Sequence, residues 1–152
     1  MRLSKQRPTN AAQQVFACAC LEAAAISFAV GVEHLVLACA VLGSTLNDYV
    51  DADDVRACIV ARERDALASL GISRESVRGE LEERHGEELL AEPYCMPITP
   101  ETKRMLELAT RRRRRVTPDE VLGTLVHQSS TARRLLVDLD VPVATLQARL
   151  TG

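Results

Sequence analysis

The sequence predicts an all-α fold. Apolar residues recur at three- and four-residue steps through most of the chain, and several segments open on a Ser or Thr cap. No stretch sustains the polar–apolar alternation of a strand. Thr9 reads as the first cap, with Ala12, Val15, Phe16, Ala19, Ala23 and Ile26 on the apolar face of a helix reaching about residue 28. Gly31 interrupts it. Residues 33–42 are apolar on nearly every side, the pattern of a buried second helix. After a turn at Gly43-Ser44-Thr45, the acidic stretch 46–54 reads as a mobile loop leading into a third helix over about 55–70. Gly71 is placed to end that helix.

Ser73 caps a charged fourth helix that fades by residues 86–92, and 93–97 is a proline-bounded linker. Thr99-Pro100 opens a fifth helix with Met105, Leu106 and Ala109 on its apolar face. Thr117-Pro118-Asp119-Glu120 combines cap, first-turn proline and a Glu three residues on, so it opens a sixth helix, to about residue 127. Ser129 or Ser130 opens a seventh, ending near residue 138, and Val141-Pro142 an eighth with Val143, Leu146 and Leu150 inward. The two halves echo one another: Thr9 answers to Thr99, and Leu67-x-x-Leu70-Gly71-Ile72 to Leu136-x-x-Leu139-Asp140-Val141. Glu33-His34-Leu35-Val36-Leu37-Ala38 is matched to Pro118-Asp119-Glu120-Val121-Leu122-Gly123. The expected architecture is one domain of eight helices in two pseudo-repeated four-helix units, repeat one over about 9–92 and repeat two over about 98–152.

Composition narrows the function. A formal net charge of -2 gives no global field toward nucleic acid or anionic lipid. No apolar run is long enough for a membrane span, and the start lacks a signal core, so a cytoplasmic protein is expected. The five cysteines (Cys18, Cys20, Cys39, Cys58 and Cys95) read as reduced, mostly buried thiols without metal-site spacing. None of the seven glycines is followed by Lys, so there is no phosphate-binding loop for a nucleotide. No Ser/His/Asp or Cys/His set is recognisable in the sequence, and neither catalytic residues nor a cofactor are expected.

The repeat landmarks resemble the Clp N-terminal repeat domain, the module at the front of ClpC- and ClpA-type AAA+ unfoldases. That family's repeat has a Gly-Thr-Glu-His-Leu-Leu-Leu-Gly-Leu block at its second helix and closes on Leu-x-x-Leu-Gly-Ile/Val. Here the block is Gly31-Val32-Glu33-His34-Leu35-Val36-Leu37-Ala38 and the close is Leu67-Ala68-Ser69-Leu70-Gly71-Ile72. Repeat two offers Ile98-Thr99-Pro100 and Met105-Leu106-Glu107-Leu108-Ala109 against the family's Thr-Pro-x-x-Lys-x-Val-Leu-Glu-Leu. Four departures stand out. Val32 replaces the block's Thr, and Arg111–Arg115 replaces the loop before the second block. Roughly sixteen residues are inserted between Gly43 and Gly71, beyond an ordinary helix connection. Pro118 stands where the family has Glu.

The resemblance implies a non-enzymatic binding module without its own ATPase, acting in trans as adaptor, competitor or decoy in Clp-dependent proteolysis. Its partners would be a Clp ATPase, that ATPase's substrates or adaptors, or cyclic peptide ligands. It also implies phosphoarginine sites, where a helix start receives the phosphate and the block's carboxylate pairs with the guanidinium. Carried over by position, site one is Thr9 with Glu33. Site two is degenerate: Thr99 is present, but Pro118 has no carboxylate and Asp119 sits one position on, about 100° round the helix. The alternative from the residues is an anionic partner, protein or nucleic acid, held by Arg111, Arg112, Arg113, Arg114 and Arg115. Without interleaved aromatics, nucleic acid is the weaker version. The acids Asp48, Asp51, Asp53 and Asp54 offer the arginines a counterpart in an oligomer.

Overall fold

The computed structural model describes residues 11–73, 75–80, 96–111 and 116–151. Among them are eight α-helices: α1 (Ala11–Ile26), α2 (Val32–Leu42), α3 (Ala52–Ser69), α4 (residues 75–80), α5 (Pro100–Thr110), α6 (Pro118–Gln128), α7 (Ser130–Asp138) and α8 (Val143–Thr151). A 3-10 turn occupies Thr45–Asp48. There is no β-strand among these residues, so the all-α expectation holds, with helix ends within a few residues of those read from the sequence. Thr9, Cys95, Arg112, Arg113, Arg114 and Arg115 lie outside the described residues.

The central element is α2. From Val32 to Ala40 every residue except Glu33 is buried, which is why this helix carries almost no polar residue. On one side α1 lies against it through Val15, Ala19 and Ala23, all fully buried. The two alanines let the helix axes approach where larger side chains would hold them apart. On its other faces α2 meets α6, α3 and α7, and Leu122, Leu125, Leu135, Leu136 and Leu146 complete the interior. Each such leucine contributes about 1.5–3 kcal/mol by leaving water. Helices from both halves thus close over one shared core.

Local features recur between the halves. At the end of α3, Gly71 has φ 74°, Gly71 N–H donates to the Ala68 carbonyl (3.0 Å), and Ile72 N–H donates to that of Leu67 (2.9 Å). These are the two bonds of a Schellman cap. At the end of α7 the same two bonds form, from Asp140 to Val137 (3.0 Å) and from Val141 to Leu136 (2.9 Å). There the left-handed position, φ 61°, is held by Asp140. A β-carbon in that region meets the following carbonyl, and a carboxylate at a helix C-terminus opposes the dipole. Asp140→Gly is therefore expected to stabilise the protein by about 1 kcal/mol, read as a higher urea midpoint at unchanged slope. An unchanged midpoint would mean that the aspartate relieves its own strain.

The stretch 46–54 departs from the expected mobile loop. Leu46 is fully buried, and Asn47 Nδ2–H donates to the Ala40 carbonyl (2.9 Å) while its Oδ1 accepts from Ser44 N–H (2.8 Å). Three of its aspartates, Asp48, Asp51 and Asp53, make contacts within the chain. Asp48 pairs with Arg149 of α8 at 2.7 Å, whose guanidinium also lies 5.5 Å from the Tyr49 ring centroid. Asp51 caps α3 by accepting from Asp54 N–H (2.9 Å), so that helix starts at Ala52, three residues earlier than expected. Asp53 and Glu22 hold Arg56, Glu22 through two bonds of 2.8 and 3.1 Å that tie α3 to α1.

Candidate functional site at two crossed helix starts

The expected site residues are rearranged in two ways. The first concerns register. The N-caps of α2 and α6 are Gly31 and Thr117. In each helix the third residue reaches back to the cap: Gly31 N–H donates to His34 Nδ1 (2.9 Å), and Thr117 N–H to Glu120 Oε1 (3.1 Å). Counted from the caps, Val32 stands opposite Pro118 and Glu33 opposite Asp119. The expected match of Glu33 to Pro118 is thus off by one residue. The reciprocal cap bonds set the helix start. Pro118 occupies the first-turn position where no N–H is needed, and the second block keeps its acid in Asp119.

The second rearrangement concerns pairing. A five-residue connection joins α1 to α2, so the two run antiparallel, and the start of α1 lies a helix length from Glu33. For the 16 residues of α1 that is about 24 Å. Ala11, the first described residue of α1, and Glu33 therefore stand at opposite ends of the pair, while Thr9 lies outside the described residues. Instead, the start of α2 lies against the start of α5. Val30 N–H donates to the Pro97 carbonyl (2.8 Å), and the Val30 carbonyl accepts from Thr99 N–H (3.1 Å) and Thr102 Oγ1–H (3.2 Å). At the opposite end Ala11 N–H donates to the Val116 carbonyl (3.2 Å), joining the start of α1 to the start of α6. Each acid-bearing helix start thus faces a helix start from the other half.

At the α2–α5 end, Glu33 is half-buried and its carboxylate folds back over the cap: a β-carbon on Gly31 would sit 2.8 Å from Glu33 Oε1. No hydrogen bond or ion pair engages this carboxylate among the described residues. Opposite it, Thr99 Oγ1 accepts from Thr102 N–H (3.2 Å) and lies 2.7 Å from Thr102 Oγ1. Pro100 has no N–H, so Glu101 supplies the remaining free first-turn amide. The Glu101 carboxylate is held by Ser129 (2.9 Å) and Thr131 (3.0 Å). A pocket here would offer a carboxylate to a cation and a capped helix start to an anion.

At the α6–α1 end the acid is already engaged. Thr45 N–H donates to Asp119 Oδ1 (2.7 Å) and Thr45 Oγ1–H to Asp119 Oδ2 (2.8 Å). Buried Cys39 Sγ–H donates to the Pro118 carbonyl (3.7 Å) beside it, and burial pushes that thiol far above its ordinary pKa. Burial raises the thiols of Cys18, Cys20 and Cys58 as well, and no grouping of three or more potential metal ligands occurs among the described residues. Arg111, the one described member of the arginine run, is exposed just past α5, on the rim of a shallow groove between α5, α6 and α8.

One constellation was not visible in the sequence. Ser27, His34 and Glu63 converge from the end of α1, from α2 and from α3: His34 Nε2 lies 2.7 Å from Ser27 Oγ, which donates to Glu63 Oε2 (2.9 Å). It has the membership of a hydrolytic triad but the wrong proton order. His34 Nδ1 accepts from Gly31 N–H, so the neutral ring carries its proton on Nε2 and donates it to Ser27. A nucleophilic serine needs a histidine that accepts. Ser27 is also only 2% exposed. Burial lowers the His34 pKa, outweighing the nearby Glu33, and the trio ties three helices together.

No family model matches the chain, and no curated protein matches it. Among solved structures it is similar to the N-terminal domain of the caseinolytic-protease-associated chaperone ClpD from Arabidopsis thaliana. The TM-score is 0.66 at 20% identity, over 97% of this chain and 96% of that one. No helix among the described residues is long and apolar enough to cross a membrane. Helices from both halves around a shared core, with a match along nearly the whole length of both chains, give this chain the fold of a Clp N-terminal domain.

Proposed function

We propose that this chain is a non-catalytic binding module of the Clp N-domain type, serving a Clp ATPase as adaptor, competitor or decoy. We propose further that its ligand is an arginine bearing a phosphate. The observation that carries this reading is the Glu33 carboxylate, half-buried, unengaged among the described residues, and set at a helix start that faces the capped start of α5. A carboxylate suits a guanidinium, and a helix start suits a phosphate some ångströms away. The reading uses Glu33 with Thr99 rather than with Thr9.

Calorimetric titration with phosphoarginine tests it, with arginine and inorganic phosphate as controls. One site is expected, and Glu33→Gln should weaken it by about 1.5–3 kcal/mol, the contribution of a charged hydrogen bond. Binding that survives Glu33→Gln, or that arginine alone reproduces, would overturn the assignment. The coarser reading is tested by whether a purified Clp ATPase forms a complex with this chain.

A further inference from the structure

We infer that Thr45 is a built-in occupant of the second acidic helix start and decides that this chain offers one ligand site rather than two. This rests on the reading above and extends it to the other end of the α2–α6 pair. Asp119 holds the position in α6 that Glu33 holds in α2, two residues past the cap, and both are half-buried. They differ in what engages them. Two donors of Thr45, one N–H and one O–H, reach the two oxygens of Asp119 at 2.7 and 2.8 Å. A guanidinium approaches a carboxylate in the same way, two donors on two oxygens. Thr45 thus takes the place a guanidinium would take, and the turn that carries it is fixed by its own Ser44–Asn47 bonds and by Arg149 on Asp48. A ligand at this end must first open that contact, so its apparent affinity falls by the fraction of molecules that are open.

The turn permits a clean test. Thr45 is its first residue, and Ser44 before it is extended at φ -157° and ψ 177°. Proline is tolerated at a first helical position after an extended residue. Thr45→Pro therefore removes both donors and leaves the turn, and Thr45→Val removes the hydroxyl alone. Phosphoarginine titration should give one Glu33-dependent site in the parent. In Thr45→Pro a second site should appear, at least about tenfold tighter than any binding at that end of the parent, and Asp119→Asn should abolish it. If circular dichroism shows that Thr45→Pro has lost its helices, Thr45→Val takes its place and should show the second site more weakly. One Glu33-dependent site in parent and variants alike would make the Thr45–Asp119 contact a structural tie only, leaving the reading of Glu33 intact. An Asp119-dependent site in Thr45→Pro with none at Glu33 would uphold the role of Thr45 and overturn the reading of Glu33. No binding to any of these proteins would overturn both.

Discussion

Leu122→Ala is expected to lower the unfolding free energy by about 2–5 kcal/mol, the range for truncating a fully buried leucine where the surroundings relax incompletely. Leu122 has no exposed surface and lies on α6, the helix that packs against α2 of the other half. For a chain of this size each kcal/mol moves Tm by about 2–4 °C, so a depression of several degrees should be plain in a thermal melt. Val137, 61% exposed on α7, is the control, and Val137→Ala should stay within about 0.5 kcal/mol. The transition should remain single, because both halves draw on one core. Two separate transitions, or a loss at Leu122 no larger than at Val137, would show that the halves pack independently.

Stability should fall as pH drops below the ordinary histidine value of 6.5, and His34 should account for much of the fall above the carboxylate range. Burial depresses the pKa of His34 in the folded protein, while the carboxylates of Glu33 and Glu22 act against it. In the interval between the two values the unfolded chain binds more protons than the folded one, so stability rises with pH there. The contribution of this residue is complete above pH 6.5 and is lost as pH falls through the lowered folded value. Protonation also converts Nδ1 from an acceptor into a donor facing the Gly31 N–H, which breaks the cap of α2. His34→Gln gives a side-chain oxygen that can accept from that N–H, as Gln does in a capping box, and it does not titrate. Urea melts between pH 5 and 7.5 should show a shallower pH dependence in the variant. An equal slope in both proteins would remove His34 from the explanation.

What the sequence made legible was what short stretches determine. Thr117-Pro118-Asp119-Glu120 opens a helix as its composition requires, because all the partners lie within one turn. The uniform apolarity of α2 announces its burial on every side, and Leu67-x-x-Leu70-Gly71-Ile72 announces its cap. Contacts between distant residues were not legible. The acidic stretch reads as a loop because Arg149, which holds Asp48, lies about a hundred positions on. Sequence order sets Glu33 beside the start of α1 in its own repeat because it cannot show that a helical hairpin sends Ala11 and Glu33 to opposite ends. The Ser27–His34–Glu63 trio spans three helices and has no spacing signature.

The backbone bonds from Val30 to Pro97 and Thr99, and from Ala11 to Val116, carry an implication for how such a molecule is put together. Each half supplies a loop that the other half's helix start requires, so neither is self-sufficient. A severed half would expose the apolar flank of α2 or α6 and leave the Val30 or Val116 carbonyl seeking a substitute. Two copies of one half could satisfy that need reciprocally, since each would present the edge the other lacks, as in an isologous dimer. Covalent linkage makes the encounter intramolecular and independent of dilution. It also frees the two ends to diverge, because a change such as Thr45 near one acid no longer has to be mirrored at the other.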